Sequence, residues 1–146
     1  MIYYIKNETD GGYVYPNKRK IAQSAKGALN KICMKYLTTI EGYLKSVEKI
    51  VSMKYKIPIV LSDTVSFFPT CCMKSYDVIF INFFAIEEII YLENEIIFIF
   101  DETHQLKVNF KTKNYQRLVQ TIFMILNYKK SLEWIHFHFN SYWKRL

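Results

Sequence analysis

Two histidines one residue apart, His136 and His138, and two adjacent cysteines, Cys71 and Cys72, could together offer two nitrogens and two sulfurs to zinc. Adjacent cysteines rarely bind one zinc together, and cysteines packed in a reduced core are the commoner use, so neither a metal nor another cofactor is expected. The remaining histidine, His104, falls in a turn-like stretch. The acidic pairs Glu87-Glu88 and Asp101-Glu102 are sequence neighbours, which point to opposite faces of a strand, so neither makes a natural acid/base dyad. The sequence holds no H-E-x-x-H, G-x-S-x-G or P-loop motif, and its four glycines form no phosphate-cradling loop. Enzyme activity is disfavoured, and no catalytic residue is assigned.

Charge says more. The net charge of +7 divides by position: residues 1–56 carry 11 Lys/Arg against 4 Asp/Glu, residues 57–105 carry 1 against 8, and residues 106–146 carry 8 against 1. Basic, acidic, basic segregation makes a dipolar surface, in which both basic segments can meet a polyanion while the acidic middle faces another protein or a second subunit. Nucleic acid is the usual polyanion for a protein with a pI of 9.2. Seventeen lysines against three arginines also fit codon bias in an AT-rich genome, which explains the choice of Lys but not the segregation.

The 146 residues make one domain, 51% apolar and 17% aromatic, able to bury a core unaided. Three cysteines without C-x-x-C spacing suit a reducing interior. The start, MIYYIKNETD, lacks the order of a signal peptide, and the longest uncharged apolar runs are too short to span a bilayer. A cytoplasmic protein without membrane partners is expected.

The elements expected to position the basic residues are α+β. Residues 1–16 read as a β-hairpin turning at Asp10-Gly11-Gly12. The run Asn17-Lys18-Arg19-Lys20 reads as a linker or a phosphate-contacting loop. Residues 21–52 recur apolar every three or four positions, which predicts one long helix, or two broken near Gly27 or Gly42, with Lys26, Lys31, Lys35, Lys45 and Lys49 forming a basic ridge. Residues 57–110 read as antiparallel strands. Pro58 and Pro69, unable to donate ladder hydrogen bonds, bound a hairpin; residues 77–86 form a buried central strand; residues 95–110 form two strands around Asp101-Glu102-Thr103-His104-Gln105. A predominantly antiparallel sheet of about five to seven strands follows. Residues 112–146 read as a C-terminal helical region, the tail from Ser131 being either a helix capped there or an alternating strand.

These motifs in this order resemble the bacterial competence transcription factor family ComK. The stretch ICMKYLTTIEGYLK matches through Cys33, Tyr36, Thr38-Thr39 and Gly42; KIPI matches through Pro58; FFPT is Phe67, Phe68, Pro69 and Thr70; and the later helix matches through Gln116. FFAIEEI and FIFDETHQLKV are similar to the family's next strand and hairpin. The family glycine after the aromatic is Leu37 here, its two arginines are Tyr43 and Val119, and a tryptophan falls at Phe80. The chain is shorter than the family pattern after its first hairpin and lacks the family's carboxyl-terminal degradation tail.

The resemblance implies a DNA-binding activator of DNA-uptake genes, reading AT-rich boxes through the minor groove, nucleoid-associated and self-associating, with RNA polymerase and a proteolytic adaptor as further partners. Lys18, Arg19, Lys20, Lys35, Lys45 and Lys49 from the first basic segment, with Lys111, Lys113 and Arg117 from the second, are the expected DNA contacts. Lys45 is expected to substitute for the charge absent at Tyr43. The alternatives are an interaction module that has lost selective DNA binding, a membrane-surface protein using Trp134, Phe137, Phe139, Trp143, Lys144 and Arg145, and an RNA-binding sheet.

Overall fold

In the computed structural model, the backbone is described for residues 1–143 and side chains for residues 1–132. Tyr4–Glu8 (β1) and Gly11–Tyr15 (β2) form the expected hairpin, and Arg19–Ala22 adds a third strand, β3. The basic run is therefore not a linker, because Arg19 and Lys20 begin an edge strand. Gly12 is required at its place: a Cβ there would lie 2.1 Å from the Ser24 carbonyl oxygen.

Helix α1, Ala25–Lys35, starts at Ser24, whose side chain accepts the Gly27 N–H, and α2, Ile40–Val47, starts at Thr39, which accepts the Gly42 N–H. The expected break near Gly27 or Gly42 is thus corrected, since both glycines sit in first turns, held by the capping side chains. The chain instead leaves α1 at Leu37, whose φ of 63° is left-handed. There the Thr38 N–H reaches back to the Cys33 carbonyl. Leu37 has no packing reason to be there, being 96% exposed. With the helix interrupted, the expected ridge of lysines is split between two elements, and Lys31 Nζ is engaged by the Ile21 carbonyl at 2.8 Å.

Ile59–Val60 (β4) and Ser66–Pro69 (β5) form the second hairpin, with Pro58 just before it and Pro69 at its end, as the proline chemistry requires. Ile79–Asn82 (β6) is the expected central strand, but it is shorter than residues 77–86 because Phe83–Ala85 turn into a 3-10 helix, started by the Asn82 side chain. These six strands form one antiparallel sheet in the order β3-β2-β1-β6-β5-β4. Glu88–Tyr91 (β7), Ile96–Ile99 (β8) and Gln105–Val108 (β9) form a second antiparallel sheet. The α+β, antiparallel expectation stands: the larger sheet's six strands fall within the expected five to seven, and among the described residues a second sheet of three strands is added.

The last helix, α3, runs unbroken over Thr112–Trp143, so residues 131–143 are helix rather than strand, and Ser131 caps no separate helix. Its hydroxyl donates to the Tyr128 carbonyl at 2.7 Å.

Register sorts the large sheet into faces. Val14, Ile5 and Phe80 stand opposite one another, and with Phe67 they face α1 and α2. Tyr4, Tyr15, Ile81 and Phe68 lie on the other face, toward the second sheet and α3. Phe68 is the meeting point there: its ring lies 5.7 Å from that of Phe98, 6.3 Å from Phe110 and 5.9 Å from Tyr115. On the helix side, Tyr43 fastens α2 to the sheet edge. Its buried hydroxyl donates to the Pro58 carbonyl at 3.0 Å and accepts the Val60 N–H at 2.9 Å, and burial holds the phenol protonated.

Two substitutions test these accounts. Tyr43→Phe leaves a buried carbonyl and a buried N–H without partners and should cost about 1–3 kcal/mol in urea unfolding. Leu37→Gly should instead stabilise by about 0.5–1 kcal/mol, because glycine takes the left-handed conformation without the Cβ clash; a loss of stability would contradict this reading of the α1 terminus.

Candidate nucleic-acid interface

All nine expected DNA contacts are exposed: Lys18, Arg19, Lys20, Lys35, Lys45, Lys49, Lys111, Lys113 and Arg117. Among the described residues none of them is ion-paired. They do not form one patch. Lys18 lies in the β2–β3 turn and Arg19 and Lys20 in β3, at one edge of the large sheet, while α2 packs on β4 at the other. Five strand spacings, about 24 Å, separate the edges. Lys35 ends α1 and lines a hollow with Met1, Ile2 and Tyr36.

At the β4 edge the structure builds a cleft of about 230 Å³ between residues 52–56 and the first turns of α3. Lys54, Tyr55, Lys56, Asn114 and Arg117 line it, and Lys111 and Lys113 flank the same end of α3. Two contacts and a left-handed turn shape its walls. The Lys56 ammonium lies 5.3 Å from the centroid of the Phe110 ring. The Thr121 hydroxyl reaches the Met53 sulfur at 3.1 Å, and Lys56 turns the loop with a φ of 53°. Tyr55 is 82% exposed beside the two lysines. Sequence reasoning chose Arg117 for this place and missed Lys54, Lys56 and Asn114. The alternation Lys54-Tyr55-Lys56, cation and aromatic interleaved, was the available signal.

A family model described as ComK protein matches residues 13–133. The chain belongs to the ComK family. No curated protein and no solved structure matches it. ComK is a family of competence transcription factors, and the family motifs can now be placed. Phe67, Phe68, Pro69 and Thr70 are buried, with the Thr70 hydroxyl accepting the Ile79 N–H at 3.0 Å. Cys33 is buried and its thiol is pushed up to about 11 by that burial, so it remains protonated and unreactive. Tyr36, Gly42 and Gln116 are exposed.

Tyr43 and Val119, which the resemblance aligns with family arginines, are packing positions in this member of ComK. Tyr43 is the α2–β4 clasp, and Val119 packs against the core. Lys45 therefore cannot stand in for position 43, because two residues along a helix turn the side chain about 200° away. Leu37, which the resemblance aligns with a family glycine, holds a left-handed conformation that glycine favours.

Other expected or weighed chemistry resolves differently. Cys71 and Cys72 are free thiols, and His136 and His138 lie outside the described side chains, as do those of Trp134, Phe137, Phe139 and Trp143; Lys144 and Arg145 lie beyond the described backbone. Among the described residues no three His, Cys, Asp or Glu side chains are grouped to hold a metal, and no helix is long and apolar enough to cross a membrane. Asp101 does not pair with Glu102. It accepts the Thr103 N–H at 2.8 Å, the Tyr3 hydroxyl at 2.9 Å and lies 3.0 Å from His104 Nδ1. The Thr103 N–H, followed by the Tyr3 hydroxyl and His104, holds its carboxyl well below the usual carboxylate range.

A carboxyl with a depressed folded pKa adds stability above its unfolded value, about 3.9, and that stability is lost as pH falls through the folded value. Asp101→Asn should therefore be less stable than the wild type at neutral pH, with the difference shrinking below about pH 4. Urea unfolding across that range checks it; a pH-independent difference would contradict the assignment.

Proposed function

We propose that this chain is a DNA-binding transcriptional activator of the competence type that reads AT-rich boxes through the minor groove, using the α2–β4 side of the molecule. Family membership supports the class, and the cleft that Arg117 shares with Lys54 and Lys56 carries the choice of surface. The minor groove, about 6 Å wide, mainly separates A·T from G·C pairs, and narrow AT tracts concentrate negative potential that draws in Arg and Lys. Lys56 is held over the Phe110 ring, and Arg117 lines the same cleft. Lys45, Lys49, Lys111 and Lys113 extend that surface along the phosphates, positioning without reading. In this reading the protein works in the cytoplasm at the nucleoid, where RNA polymerase, a proteolytic adaptor and further copies of itself are its partners.

Binding to an AT-rich and a GC-rich duplex of equal length, each across a salt series, tests the proposal. The AT-rich duplex should bind more tightly, and Arg117→Ala and Lys56→Ala should each flatten the dependence of log K on log salt by about one ion. Equal affinities with one common slope would leave only general electrostatic attraction. Variants that bind as the wild type does would move the site elsewhere.

A further inference from the structure

The acidic middle of the chain becomes a defined surface in the structure. Strand β7 is an edge strand, paired only with β8. Glu88 within it, Glu87 just before it and Glu93 just past its end are exposed, and between them Ile90, Tyr91 and Leu92 are 41%, 51% and 40% exposed. At its start opens a hollow of about 400 Å³ floored by Phe83, Phe84 and Tyr115. Tyr115 is 2% exposed, and its hydroxyl has no hydrogen-bond partner among the described residues. An apolar edge with an acidic rim and an unsatisfied polar atom beneath it calls for an extended, basic partner.

The molecule carries such a segment. Strand β3 is the free edge at the far side of the other sheet, and Lys18, Arg19 and Lys20 lie exposed along its first half. Its second half is already engaged, with Lys31 holding the Ile21 carbonyl. We infer that β7 of one copy docks the Lys18–Lys20 end of β3 of a second copy, three glutamates against three cations.

The same charges reject symmetric pairings. Two β7 strands side by side would bring six glutamates into one ribbon, and two β3 strands would bring six cations together, while like charges opposite one another destabilise a sheet. A β7-to-β3 contact is head-to-tail: the dimer keeps one unused β3 edge on one copy and one unused β7 edge on the other, so assembly can continue beyond a dimer. This inference stands apart from the DNA reading. It uses cations on the edge opposite the proposed cleft, and its test contains no DNA.

Sedimentation equilibrium of the full chain in low salt, with circular dichroism to verify folding, supplies the test. The wild-type mass should rise with concentration past that of a dimer and fall back when salt is added. Glu87→Lys/Glu88→Lys and Arg19→Ala/Lys20→Ala, all exposed positions, should each associate at least tenfold more weakly. An equimolar mixture of the two variants retains one intact pair of edges and should stop at a 1:1 dimer. A wild type that remains monomeric at every concentration would overturn the inference. So would an Arg19→Ala/Lys20→Ala variant that associates like the wild type, because a symmetric β7 contact would not need β3.

Discussion

The side chain of Phe68 is where the architecture closes. One face of the six-stranded sheet is turned away from α1 and α2 and depends on the smaller sheet and α3, and the rings of Phe98, Phe110 and Tyr115 all converge on Phe68. Aromatic pairs at such separations add about 0.5–1.5 kcal/mol beyond burial, and removing a buried phenylalanine side chain costs about 3–5 kcal/mol. A contact of that size fixes α3 in position. Tyr115 is docked in the cluster, and Arg117, two residues on, is carried outward to the cleft. Phe110 extends the same cluster toward the loop, where its ring supports Lys56. The cations of the cleft are thus held by the packing that joins the two sheets.

The distribution of charge follows from topology rather than from sequence blocks. The first basic segment is divided between opposite edges of one sheet: Lys18, Arg19 and Lys20 on β3, and Lys45, Lys49, Lys54 and Lys56 on the α2–β4 side, which they share with Arg117. The acidic residues Glu87, Glu88, Glu93, Glu95, Asp101 and Glu102 gather on the second sheet and its turns. A single molecule therefore carries one cationic side and two oppositely charged strand edges.

Local chemistry was legible in the sequence, and long-range arrangement was not. Gly11-Gly12 marked the first hairpin, and Pro58 and Pro69 bounded the second, because turns and prolines act over a few residues. The α1–α2 break, looked for at Gly27 or Gly42, lies elsewhere because its left-handed residue is Leu37, not a glycine. The second sheet escaped because EEIIYLENEIIFIF lacks a clean period of two: β8 buries one face fully and the other partly, so its apolar run hides the division. The family arginine positions looked like lost DNA contacts, but Tyr43 and Val119 point into the protein, a distinction of side-chain direction that spacing does not carry. Lys54 and Lys56 were passed over because only the packing of Phe110 and α3 gathers them with Arg117.

The most direct test of the central claim, that selectivity resides in the minor groove, is binding to an AT-rich duplex in which A·T pairs are replaced by inosine·cytosine pairs. Such pairs resemble A·T in the minor groove, lacking the exocyclic amine of guanine, and resemble G·C in the major groove. The account predicts affinity close to that of the AT-rich duplex. Affinity reduced to that of the GC-rich duplex would contradict it and place the reading in the major groove.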